Sequence, residues 1–137
     1  MDKKLLNQQS QHWESNFSSK PEMFGLEPSY SAKKSLEIFK KHNIKNILEL
    51  GAGLGRDTIY FAKNNIKVNA LDFSQCAIDT INKRSKKLGL DKLITAEVFD
   101  IRKDFSFIEK NFDGCYSHML YCMALTESDV ELLNKKI

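Results

Sequence analysis

An open α/β fold, a parallel sheet wound with helices, is what the order of elements along these 137 residues predicts. Short β-compatible apolar runs alternate with helix-length amphipathic stretches, and each parallel strand pair needs a crossover that is right-handed almost without exception. Glu49, the glycine turn at Gly51, Asp72, Asp100 and Ser117-His118 all fall at the carboxyl ends of successive runs. In open sheets that edge is where ligands gather.

The first 27 residues are polar and mixed, with Pro21, Gly25 and Pro28 breaking any long periodicity, and leave room for a short helix over Leu5 to Phe17. Ser29 or Ser31 can cap the next helix, whose apolar stripe is Ala32, Leu36, Ile38 and Phe39 and whose end falls near His42-Asn43. Asn46 to Leu50 is the first strand, followed directly by glycines. Arg56 to Asn64 is a helix with Ile59, Tyr60 and Phe61 turned inward. Lys67 to Leu71 is a second strand ending in Asp72. Ser74 caps a helix running to Lys87, and Gly89 terminates it in a left-handed conformation. Leu93 to Phe99 is a third strand ending in Asp100, IRKDFSFIEKN is poorly periodic, and Phe112 to Ser117 is a fourth strand. TESDVELLNKKI reads as a helix capped by Thr126 or Ser128.

The length allows one domain with a real core, so residues 1–137 are taken as a single unit. Twenty-one Lys and Arg against 18 Asp and Glu give a net charge of +3, too even a balance to imply nucleic acid or an anionic membrane. Lys33-Lys34, Lys40-Lys41 and Lys86-Lys87 read as solvated helix faces. The amino terminus lacks the apolar core of a secretion signal, and no run approaches the roughly 18 apolar residues of a membrane span. A soluble, cytoplasmic protein is expected, with Cys76, Cys115 and Cys122 as reduced thiols. No metal site is expected, because His12, His42 and His118 are scattered and none pairs with a cysteine at helical spacing.

The stretch ILELGAGLGRDTIYFA, residues 47–62, carries the chemistry. A dinucleotide fingerprint needs a third glycine five residues after the first, and that position is Arg56. A phosphate loop needs Lys then Ser or Thr after its last glycine, but Gly55 precedes Arg56-Asp57. Asp57 also puts negative charge in the first turn of the helix, which suits the helix dipole and repels a phosphate. What remains is a turn able to take an uncharged sugar and a zwitterionic tail against its backbone.

Here the sequence resembles the class I S-adenosylmethionine-dependent methyltransferases, whose first motif is an acidic residue followed by G-x-G-x-G. The resemblance runs from about Ser31 to Asn134. Its details G-x-G-R-D-x-x-Y-x-A and D-F-S look most like small-molecule methyltransferases of the tellurite-resistance type. It implies a Rossmann-like open sheet with helices on both faces and S-adenosylmethionine as cofactor, leaving S-adenosylhomocysteine as product. It implies that Glu49 and Gly51 lie near the donor's amino-acid moiety, that Ala52 is among the cofactor-binding residues, and that Gly53 and Gly55 permit close approach. Asp72, 21 residues beyond Gly51, would accept from both ribose hydroxyls. Phe73 would cover the adenine, the Asp100 carboxylate would take its exocyclic amine, and the Ile101 backbone amide would face the ring. FDGCYSHML resembles the fourth motif, beside the methyl donor, and brings Ser117 into the site.

Methyl transfer from a sulfonium is an in-line displacement, so the protein mainly aligns acceptor and methyl and excludes water. Where the acceptor must lose a proton, His118 is the best-placed base, since histidine titrates near neutral pH. Its plainer reading is a histidine capping or packing at a strand end. Tyr116 is a second catalytic candidate; it and Tyr121 either line the acceptor pocket or fill the core. Residues 1–27, with His12 and Trp13, form a lid or an outer tail, the lid reading bringing Trp13 or Tyr30 to the acceptor.

The family's sheet has seven strands in the order 3-2-1-4-5-7-6, and this chain offers four, in the order 3-2-1-4. The carboxyl-terminal strands are therefore expected to be missing, and strand four becomes an apolar edge. The expectation is a fragment of a longer enzyme, or a sheet completed by another chain, a homodimer included. The partners expected are a small-molecule methyl acceptor, with no nucleic acid and no membrane. Two alternatives stand beside the enzyme reading: a cofactor-binding fragment without turnover, and a nicotinamide-dependent oxidoreductase.

Overall fold

The structure, a computed structural model, describes residues 27–100 and 112–118. The helices expected over Leu5 to Phe17 and after Thr126, the stretch 101–111, and Trp13, Ile101, Tyr121 and Cys122 lie outside those residues. Helix α1 spans Tyr30–Lys41 and starts at Ser29, whose Oγ accepts from the Ala32 N–H at 3.1 Å. Ser31 is already inside the first turn. Ala32, Leu36 and Phe39, spaced four and three residues apart, are buried on one face. Ile38 is not part of that stripe: it is 56% exposed, because two positions past Leu36 is about 200° around a helix.

Strand β1, Asn46–Leu50, and helix α2, Arg56–Lys63, follow, the helix ending one residue before the expected Asn64. Ile59 and Phe61 are buried, while Tyr60 is half-buried against the same core. Strand β2 spans Lys67–Asp72, and helix α3 spans Gln75–Lys87, capped by Ser74 Oγ on the Ala77 N–H and closed by Gly89 at φ 71°. Strand β3, Ile94–Val98, is shorter than expected at its start because the Leu93 N–H turns back to the Leu90 carbonyl. Strand β4, Gly114–Ser117, starts two residues late, where the Asp113 carboxylate accepts from the Lys45 N–H.

The four strands form one all-parallel sheet in the order β3-β2-β1-β4. Ile47, Val68, Ala70, Ile94 and Tyr116 share the face on which the three described helices pack. Phe61 is fully buried there, 5.6 Å from Phe39 and edge-on to Tyr116 at 4.9 Å between ring centres. On the opposite face Leu48, Leu50 and Leu71 are buried as well. The strand order reverses between β1 and β4, so a crevice opens beyond their carboxyl ends, where Leu50 pairs with Ser117.

Candidate functional site

The glycine turn sits at that crevice, pinned by its own backbone. The Gly51 and Ala52 N–H groups both donate to the Leu71 carbonyl at the end of β2, at 2.8 and 3.1 Å. Gly53, at φ 58°, points its N–H at Asp72 Oδ2, 2.9 Å away, while Asp72 Oδ1 accepts from the Ser74 N–H at 3.0 Å. Asp72 is thus both the end of a strand and the clamp on the turn, and is 4% exposed. Gly55 has a different reason to be bare. Its φ is 86°, and a Cβ there would lie 2.6 Å from Cγ1 of the fully buried Ile81 in α3. Its missing side chain makes room for a helix, where the sequence pointed to room for a ligand.

Two further carboxyls stand beneath the turn. Asp57, 5% exposed in the first turn of α2, takes three hydrogen bonds: Ser29 N–H on Oδ1, and Ser29 Oγ and Tyr116 OH on Oδ2, each at 2.8 Å. It is a knot joining the start of α1, the start of α2 and strand β4. Glu49, 3% exposed on β1, accepts from the Thr58 hydroxyl of α2. Burial pushes its carboxyl up to about 8, opposed by the Thr58 hydrogen bond and reinforced by Asp57 and Asp72. Among the described residues no lysine or arginine forms an ion pair with Glu49 or Asp57.

Tyr116 is a core residue. It is 5% exposed, its ring packs on Phe61, and its hydroxyl is taken up by Asp57 and lies 3.3 Å from Ser29 Oγ. Burial, aided by the hydrogen bond to Asp57, holds its proton well above the usual tyrosine range. That removes it from proton transfer at neutral pH, because a phenol so engaged is neither a ready base nor turned to a substrate. Ser117, next along β4, has its Oγ shielded from water and without a hydrogen-bond partner in the structure. It stands in register with Leu50, the residue before Gly51. His118 is half-buried beside it, and Phe73 and Asp100 are half-buried at the same edge. Of the sequence candidates, Glu49, Gly51, Ala52, Gly53, Asp72 and Ser117 therefore converge, while Gly55 and Tyr116 serve packing.

Sequence reasoning missed Ser29, Asp57 and Thr58 as parts of one network. Ser29 was read only as a helix cap and Asp57 only as a partner of the helix dipole. Their pairing spans 28 residues, and the Tyr116 bond to Asp57 spans 59, so no local pattern announces either.

A parallel sheet with a bare turn at its switch point, a carboxylate clamp on that turn and acidic walls beneath it defines a Rossmann-like nucleoside site. Its electrostatics favour a cationic ligand over a pyrophosphate. Residues 47–137 match the methyltransferase domain family, and the chain belongs to that family. Its cofactor is S-adenosylmethionine. The chain is 35% identical over 121 residues to phosphoethanolamine N-methyltransferase 1 of Triticum aestivum, covering 86% of this chain and 21% of that protein. It thus spans about a fifth of the length of that relative. Among solved structures it resembles a chain from the study of conversion of a disulfide bond into a thioacetal group during echinomycin biosynthesis. That match has 26% identity and TM-score 0.58, covering 69% of this chain and 37% of the other. TehB from Haemophilus influenzae shares the fold at 23% identity and TM-score 0.67, over 90% of this chain and 40% of TehB.

Proposed function

We propose that the chain binds S-adenosylmethionine at the glycine turn and serves methyl transfer to a small-molecule acceptor by in-line displacement. One observation carries the reading: Glu49, Asp57 and Asp72 are all buried at the turn, and the first two have no cation beside them among the described residues. A pyrophosphate would meet repulsion from Asp57 and Asp72, whereas a ligand with a sulfonium and an α-ammonium would meet attraction. The bound donor supplies a methyl group on positively charged sulfur, and that sulfur leaves as a neutral thioether.

In this reading the protein's residues bind and orient. Gly51, Ala52 and Gly53 let the backbone approach the donor's tail, with Glu49 and the unpartnered Ser117 Oγ as its polar contacts. Asp72 takes the ribose hydroxyls, and Phe73, Asp100 and Ile101 hold the adenine. His118, at the end of β4, accepts the acceptor's proton where one must leave. The small-molecule acceptor is supported by the name of the wheat relative, a phosphoethanolamine N-methyltransferase. A cytoplasmic setting fits Cys76 and Cys115, neither of which is in a disulfide among the described residues. A partner chain along β4, such as a second copy, remains part of the proposal for the assembled enzyme.

Equilibrium titration with S-adenosylmethionine, S-adenosylhomocysteine and a nicotinamide dinucleotide tests the reading. Binding of the first two and not the third is expected. Asp72→Ala should weaken both by at least about tenfold, because a charge-assisted hydrogen bond and the clamp on Gly53 go together. Tight dinucleotide binding with none of the adenosyl ligands would refute it. Labelled donor with thiol, amine, hydroxyl and metalloid acceptors then separates turnover from binding alone.

A further inference from the structure

Among the buried acids of the turn, Glu49 has the least to hold a charge. Asp57 is compensated by three hydrogen-bond donors and Asp72 by two backbone amides. Among the described residues Glu49 receives the Thr58 hydroxyl alone. The charged groups facing it are Asp57 from α2 and Asp72 from β2; from β4 it meets the neutral phenol of Tyr116. An ionised Glu49 would be a third negative charge in a dry site, so in the free protein it is a neutral acid. Among the described residues its charged neighbours Asp57 and Asp72 both repel a negative charge, and the Thr58 hydrogen bond is what favours one.

We propose that Glu49 is the proton-exchanging residue of the donor site: it releases its proton to solvent when the donor's α-ammonium docks beside it, so that donor binding and deprotonation are one coupled event. The inference rests on the reading of the turn as the S-adenosylmethionine site. The carboxyl O–H bond breaks, its electron pair stays on oxygen, the proton passes to water or buffer, and an ammonium N–H donates to the new carboxylate. A cation within hydrogen-bonding distance reverses the balance that burial and the two aspartates set. Donor affinity then falls up to about tenfold for each pH unit below the titration of Glu49. The product keeps the same ammonium and carries the same coupling. A nucleoside without the amino-acid tail does not.

Calorimetric titration near pH 6.5, in two buffers of different ionisation enthalpy, counts the protons. At that pH the ligand's own amine, with an ordinary value of about 7.7–8.0, stays charged. The expected result is release of about one proton with S-adenosylmethionine or S-adenosylhomocysteine. Release near zero is expected with 5′-methylthioadenosine, and with either tailed ligand on Glu49→Gln. Tight binding of the tailed ligands without proton release, or release unchanged in Glu49→Gln, overturns the proposal and leaves the donor reading standing. Absence of binding by any adenosyl ligand at any pH overturns both. Carbon NMR of the glutamate carboxyls in the unsubstituted protein keeps the test independent of the variant. One glutamate should titrate near pH 8 when free and drop by at least about two pH units with S-adenosylhomocysteine. A Glu49 signal in the ordinary carboxylate range in the free protein also overturns it.

Discussion

Replacing Glu49 by Gln should make the ligand-free protein more resistant to alkali, by an amount fixed by how far burial has moved the carboxyl. In the unfolded chain the group titrates near its ordinary 4.5, and in the folded protein at about 8. Because the folded value is the higher one, the folded state holds the proton more tightly. The contribution is fully present below about 4.5 and is lost as pH rises through about 8. Each pH unit in that interval is worth about 1.4 kcal/mol, so the whole interval is worth about 5 kcal/mol. That is comparable with the entire stability of a small domain. Gln keeps an oxygen for the Thr58 hydroxyl and nearly the same shape but has no proton to lose. Urea unfolding of the two proteins, free of ligand, from about pH 5 to about pH 9 should show curves that diverge steadily in favour of Gln and run parallel beyond about pH 8. Groups remote from Glu49 are the same in both proteins and cancel in the difference. Curves that are parallel throughout would mean that Glu49 ionises like an exposed acid, and the account of an uncompensated site would fail.

Tyr116→Phe should cost about 1.5–3 kcal/mol of stability in urea, the worth of one hydrogen bond to a charged acceptor, while leaving methyl transfer nearly unchanged. A large loss of turnover with intact stability would restore Tyr116 as a catalytic residue. Gly55→Ala should destabilise by about 2–4 kcal/mol, from the left-handed backbone and the overlap with Ile81 together, with donor affinity unchanged in whatever protein remains folded. A lowered melting temperature with an unaltered dissociation constant is the expected pattern. The opposite pattern would place a ligand at Gly55.

Most of the fold was legible because its signals are local. Ser29 and Ser74 are caps that read within three residues, Gly89 ends a helix by its own backbone freedom, and β1 is a strand bounded by glycine. The parallel character of the sheet followed from alternation, while its order came from the family resemblance. The errors are also instructive. Ile38 was assigned to the core because it is apolar and beside Phe39, yet its angular position faces water. Strand ends shifted by one or two residues where a turn bond at Leu93 or an aspartate at Asp113 competes with the ladder. Position was legible at or beside a strand end, as for Glu49 on β1 and Asp72 at the end of β2. The site was illegible where a residue's purpose lies with a distant partner: Gly55 with Ile81, Thr58 with Glu49, and Ser29 with Asp57 and Tyr116.

A glycine turn between a strand and a helix offers amide groups and the positive end of a dipole, and by itself it favours anions. Here the sequence answers that preference with acid. Asp72 takes the Gly53 and Ser74 amides, Asp57 occupies the first turn of α2, and Glu49 lies on the strand that feeds the turn. Of the turn's amides, Gly51 and Ala52 donate to the Leu71 carbonyl and Gly53 to the Asp72 carboxylate, and the side-chain charge beside them is negative. Selectivity for a cationic nucleoside therefore comes less from any new contact than from cancelling the contact this turn makes elsewhere. The least compensated of the three acids, Glu49, holds its proton until a cation replaces it, which keeps the empty site from carrying a third buried charge. Restoring a phosphate-like preference would then require removing a charged acid rather than adding lysines, so an Asp57→Asn protein should gain measurable affinity for adenosine phosphates as it loses affinity for S-adenosylmethionine. If both affinities fell together in a protein that still folds, the acids would be scaffolding, and selectivity would have to be sought in the shape of the turn.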